Sequence, residues 1–186
     1  YWGQDRFDLV ERALGHEPVE DIPQNYFHPV EVWFDYSSPF AYLGVMRAHR
    51  VFGTHARYRP FLLGGVFKAL GTANVPFFEQ NEAKQHHTQA DLHRRTQLWQ
   101  VPFSWPSRFP MNTVKPLRAT LAAEEQCAPD DERLVQLRES LFAAYWADDL
   151  DVSAPETIGA RLEACGFDAD RALARIQQPD MKAILR

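Results

Sequence analysis

Apolar and polar residues recur at two distinct periods along this chain. Val30, Val32, Phe34 and Tyr36 alternate at period two, and Trp33 falls on the opposite side. That alternation predicts a β-strand, and an aromatic on the second side predicts that both of its faces are covered. The period changes at Ser37-Ser38-Pro39. Pro39 suits a first helical position, where its missing N–H has no intrahelical partner to lose. Ser38 is then the natural N-cap and Gly53 the stop. Residues 56–63, ARYRPFLL, predict a second strand, parallel to the first because a helix crosses between them. Gly64, Gly65 and Gly71 predict loose chain as far as Asn74-Val75-Pro76.

From residue 77 onward the period is helical. Residues 79–99 predict a polar helix with Leu92 and Trp99 on one side. Thr113 is a plausible N-cap for a helix carrying Leu117, Leu121 and Ala122. Asp131 to Trp146 is amphipathic through Leu134, Leu137, Leu141 and Tyr145. Ser153-Ala154-Pro155-Glu156 has the capping-box pattern, opening a helix that ends at Gly166. Asp168 caps a further helix with Leu173 and Ile176 facing in. At the other end of the chain, Asp5 caps a helix with Phe7, Val10 and Leu14 at helical spacing, and Gly15 stops it. Residues 16–28 are polar, hold Pro18 and Pro23, and predict a linker.

The chain of 186 residues is long enough for one domain with a sizeable core. Its net charge of −5 comes with no basic block, which argues against a nucleic-acid partner. No apolar run approaches a membrane span, and no signal-peptide pattern is present, so a cytoplasmic protein is expected. Cys127 and Cys165, the two cysteines, sit far apart inside helical patterns and are expected as free thiols. His86, His87 and His93 share one helix, but their spacing does not bring three ligands to one ion. A polar helix face is expected there, not a metal site.

VWFDYSSPFAYLG resembles the opening of the 2-hydroxychromene-2-carboxylate isomerases and the kappa-class glutathione transferases, in the DsbA-like branch of thioredoxin folds. Other members of that branch carry Cys-x-x-Cys at this corner. Here the corner is Ser38-Pro39-Phe40-Ala41, so it cannot run dithiol chemistry. The resemblance extends over most of residues 30–186 and includes the "PF…FP-x-NT" stretch from Val101 to Thr113. It implies an α/β thioredoxin-like fold of DsbA/kappa type with a large inserted all-helical subdomain. Its divisions would be a β-α-β unit at 29–76 and the helical insertion with a return helix at 77–186. The β-hairpin that completes such a sheet has no counterpart here.

Gly3-Gln4-Asp5-Arg6 resembles the Gly-Ser-Asp-Arg-like turn that precedes the family's last helix, with Gln4 in place of Ser. Residues 1–15 would then be a C-terminal helix element, either of a preceding tandem copy, the favoured reading, or of a permuted domain. A tandem-domain partner or a homodimer both stay open.

The resemblance also implies glutathione as cofactor. Ser38 would be the catalytic serine, donating a hydrogen bond to the glutathione sulfur. Asn74, Lys84, Gln4 and Asp5 would be cofactor-binding. From the residues alone, Ser38 is a plain N-cap, Asn74 an Asx turn before Pro, and Lys84 a solvated charge. Trp105 and Phe109 are expected to pack between helices, though they could also wall an apolar cleft. Three functions follow. The first is a glutathione-dependent cis/trans isomerase of the 2-hydroxychromene-2-carboxylate type, acting on an aromatic or unsaturated acid. The second is a kappa-type transferase or peroxidase, and the third a non-catalytic thioredoxin-like half of a tandem protein.

Overall fold

The computed structural model describes residues 7–16 and 29–185. Strand β1 (Val30–Phe34) runs parallel to β2 (Ala56–Pro60), in register from Val30 beside Ala56 to Phe34 beside Pro60. Helix α2 (Pro39–Phe52) makes the crossover, with Pro39 at its first position. Gly53 follows it at φ +51°, a left-handed backbone that glycine adopts without a steric cost. Among the described residues the sheet has only these two strands. A two-stranded sheet is marginal alone, and this one is held by helices packed against it.

Helix α2 packs on both strands, α5 (Val114–Glu124) packs on β2, and Phe142 of α6 (Glu132–Trp146) meets Phe34 of β1. Helix α7 (Pro155–Ala164) packs on α5 and α6, α8 (Ala169–Arg175) packs on α5, and α9 (Pro179–Ile184) follows. Phe34, Tyr36, Tyr42, Phe142 and Trp146 are fully buried at the junction of the β-α-β unit with α6. The rings of Tyr36 and Phe142 lie 4.6 Å apart, and Tyr42 stacks on Phe142 at 5.6 Å. Burying such rings contributes about 1.5–3 kcal/mol each. The polar ends of Tyr36, Tyr42 and Trp146 are paired. Trp146 Nε1 donates to the Tyr36 carbonyl at 2.8 Å. Thr120 Oγ1 donates to the Pro116 carbonyl, so Tyr36 must donate in its 2.7 Å contact with Thr120.

Several local expectations are corrected. The second strand stops at Pro60, and Leu63–Ala69 form a helix, α3, through Gly64 and Gly65. Its start is capped from elsewhere in the fold, because the Leu63 N–H donates to the Asp35 carboxylate at 2.8 Å. The polar helix α4 (Glu82–Trp99) starts later than predicted and is capped by Asn81, after a separate 3₁₀ turn at Pro76–Glu79. Thr113 occupies the N-cap position of α5, but its hydroxyl points elsewhere. Asn112 instead accepts the Val114 N–H at 3.0 Å. Ser153 does not cap α7. Ala154 stands at the N-cap and the Ser153 hydroxyl donates to Asp151 at 2.6 Å. Trp33 is 59% exposed, so the second face of β1 is open among the described residues.

Asp168 caps α8 as the sequence predicts, and Asp131 caps α6. Both cysteines are free. Helix α1 (Phe7–Ala13) lies against α4 with Leu9 buried. The turn holding Gln4 and Asp5, and residues 17–28 of the linker, fall outside the described residues.

Candidate functional site

The β1–α2 corner opens into a cleft of about 660 Å³, a volume typical of small-molecule sites. Ser38 lies on its wall. The Ser38 Oγ accepts the Ala41 N–H at 3.2 Å, as an N-cap should. That bond uses only an oxygen lone pair. The hydroxyl proton has no acceptor among the described residues and remains available to a molecule in the cleft. The α2 N-terminus adds its partial positive charge at the same place.

Beside it, Asp35 is almost completely buried. It accepts the Ser37 N–H at 3.0 Å and the Thr113 hydroxyl at 2.6 Å on one oxygen, and the Leu63 N–H at 2.8 Å on the other. One carboxylate therefore fixes the corner, the start of α3 and the start of α5. These are three of the segments that bound the cleft. Three donors at this separation satisfy a buried charge that would otherwise be costly.

On α3, Gly64 leaves room for the Asn74 amide. A Cβ there would stand 2.7 Å from Asn74 Oδ1. Asn74, Gln80 and Thr88 give the cleft polar groups, with Thr88 donating to Gln80 Oε1 at 3.2 Å. Lys68, also on α3, is the only cation among the described residues that line the cleft.

Aromatic residues make part of the same wall. Trp105 and Phe109 both line the cleft and both pack on Trp146, with ring centroids at 6.0 and 5.8 Å. Phe77 reaches Trp105 at 5.1 Å. The two functions considered for Trp105 and Phe109, packing and cleft wall, are thus performed together. Tyr145 supports the wall from behind. Its hydroxyl accepts the Met111 N–H at 2.8 Å, and burial pushes the phenol up to about 12.

Ser38 and Asn74 therefore meet at one cleft, whereas Lys84 does not line it. Lys84 is exposed in the first turn of α4, where its N–H is taken by Asn81. Gln4 and Asp5 lie outside the described residues. Asp35 and Lys68 were not singled out from the sequence. An Asp between strand and serine pair reads as turn chemistry, and a Lys beside glycines reads as surface. His86, His87 and His93 lie on α4, and no group of three or more His, Cys, Asp or Glu side chains suited to a metal converges among the described residues.

Parallel strands joined by α2, a Ser-Pro corner at the helix start and an inserted helical layer define the class. Residues 29–186 match the DSBA-like thioredoxin domain, and the chain belongs to that family. It is 24% identical over 168 residues to the human protein named glutathione S-transferase kappa 1, an alignment covering 84% of this chain and 72% of the human one. It is 27% identical over 132 residues to glutathione S-transferase kappa 1 of Caenorhabditis elegans, covering 63% of this chain and 54% of the worm protein. The fold is similar to a solved 2-hydroxychromene-2-carboxylate isomerase, with a TM-score of 0.67 at 19% identity, over 83% of this chain and 74% of that one. No described helix is long and apolar enough to cross a membrane.

Proposed function

We propose that the protein is a glutathione-dependent cis/trans isomerase of the 2-hydroxychromene-2-carboxylate type, with Ser38 as its catalytic residue. The observation that carries this is the Ser38 hydroxyl. It spends its oxygen on the helix cap and keeps its proton for the cleft. The residues present suit a peptide thiol. The serine offers a donor to sulfur, the α2 N-terminus favours negative charge, and Asn74 and Gln80 offer amides to a peptide backbone. When bound, glutathione supplies a sulfur nucleophile that adds reversibly to a conjugated double bond, which can rotate while it is single. The chain's own contribution is to hold that sulfur as thiolate, to place it against the aromatic wall, and to exclude water behind Trp105 and Phe109. With Ala41 at the second cysteine position of the corner, no protein dithiol competes.

A kappa-type transferase is the second reading, favoured by the names of the human and worm relatives. It differs in releasing the adduct instead of returning the thiol. Retention on immobilised glutathione, lost in Ser38→Ala, supports both readings. A spectrophotometric isomerisation assay then separates them. Turnover with catalytic glutathione marks the isomerase, and stoichiometric consumption of thiol marks the transferase. A wild-type protein that is not retained contradicts both. Lys84 enters this proposal as a residue that would have to reach a carboxylate from outside the cleft lining.

A further inference from the structure

The cleft carries two charged side chains among its described residues, and they differ in one respect. Asp35 is saturated by three donors. Lys68 has no carboxylate partner among the described residues, although the surface elsewhere holds pairs such as Arg175 with Glu125 and Asp180. Lys68 sits one helical turn beyond Gly64 on α3, so both project to the same side of that helix. The rings of Phe77, Trp105 and Phe109 line the same cleft. A cleft that combines an unpaired cation with flat apolar rings is complementary to a flat apolar anion.

We infer that Lys68 is the carboxylate-binding residue of the cleft, and that the acceptor it selects is a conjugated aromatic monocarboxylate whose ring lies on the Phe77–Trp105–Phe109 wall. This rests on the proposed site but not on the identity of the thiol. It makes Lys68 a specificity-determining residue: the ammonium sets which molecules enter, and Ser38 acts on the sulfur. A carboxylate can also come from glutathione, so the test separates the two sources.

The probe is cinnamate, with cinnamamide as its neutral match, titrated without glutathione and followed by tryptophan fluorescence. Glutathione is titrated separately. The wild-type protein is expected to bind cinnamate about fivefold more tightly than cinnamamide, the scale of one partly exposed ion pair. Lys68→Met should equalise the two, Lys68→Arg should keep the preference, and glutathione affinity should stay unchanged in both. The substitution site is exposed, so the variants should fold. Equal binding of acid and amide by the wild type, or no saturable cinnamate binding, overturns the inference. So does a Lys68→Met protein that loses glutathione affinity while keeping its preference for the acid, because the lysine then serves the tripeptide. A wild type that prefers cinnamate but ignores glutathione contradicts the proposed thiol chemistry and leaves the carboxylate site supported.

Discussion

The hydroxyl of Thr113 donates to the carboxylate of Asp35 at 2.6 Å, joining residues 78 positions apart. Both are buried. The bond ties the loop that carries the aromatic wall to the corner that carries Ser38. Replacing Thr113 by Val keeps the shape and removes the donor, leaving a buried carboxylate short of one partner. The expected cost is about 1.5–3 kcal/mol, the range for a hydrogen bond to a charged group. Urea unfolding should place Thr113→Ser close to the wild type and Thr113→Val well below it. Equal stability of the two variants would remove Asp35 as the tie between these segments.

Gly64 separates stability from binding. In Gly64→Ala the new Cβ would meet Asn74 Oδ1 at 2.7 Å, so the flexible Asn74 side chain must swing away. The helix gains a better former, worth up to about 1 kcal/mol. Global stability should therefore hold within about 1 kcal/mol while glutathione binding weakens, and Asn74→Ala should weaken it similarly. Calorimetric titration of both variants checks this. Unchanged affinity in both would take Asn74 out of the site.

Trp146 holds the cleft wall from behind. Its indole N–H donates to the Tyr36 carbonyl, and Phe103, Trp105 and Phe109 all pack on its ring. Trp146→Phe loses that hydrogen bond and leaves a cavity, so a destabilisation of about 2–4 kcal/mol is expected in denaturant unfolding. The acid-binding wall should loosen with it, visible as weaker cinnamate binding under conditions where the variant is still folded.

Glu124 gives stability a pH dependence. Burial pushes its carboxyl above the ordinary value of 4.5, against the attraction of Arg138 and Arg59. A carboxyl raised in the folded state holds its proton more tightly there than in the unfolded chain. Its contribution therefore favours folding less as pH rises from the ordinary value through the folded one. Glu124→Gln removes that penalty. Its Tm should exceed the wild-type Tm at neutral pH, and the gap should close as pH falls below the ordinary glutamate range. A gap that is constant with pH would contradict the burial effect.

The corner was legible in the sequence because its chemistry is local. Ser38, Pro39 and Gly53 act within one helix, and a strand period stops beside them. The cap at Asp168 was legible for the same reason. Long-range pairings were not. Asp35 finds Leu63 and Thr113 at separations of 28 and 78 residues, and no local pattern announces either. The same pairing explains two misplaced elements. It starts α3 where glycines suggested loose chain, and it draws the Thr113 hydroxyl away from the cap. Ser153 was misread because Asp151, two residues back, competes for its hydroxyl. The aromatic wall was half legible, since packing on Trp146 and lining a cleft demand the same side chains.

The most direct test of the account is the acidity of the glutathione thiol held beside Ser38. Thiolate absorbance is followed against pH for glutathione bound to the wild type and to Ser38→Ala. With serine and helix terminus acting together, the bound thiol should titrate at least about one pH unit below free glutathione, and Ser38→Ala should recover much of that difference. Identical titrations in the two proteins, or a bound thiol no more acidic than the free one, would contradict the role given to Ser38.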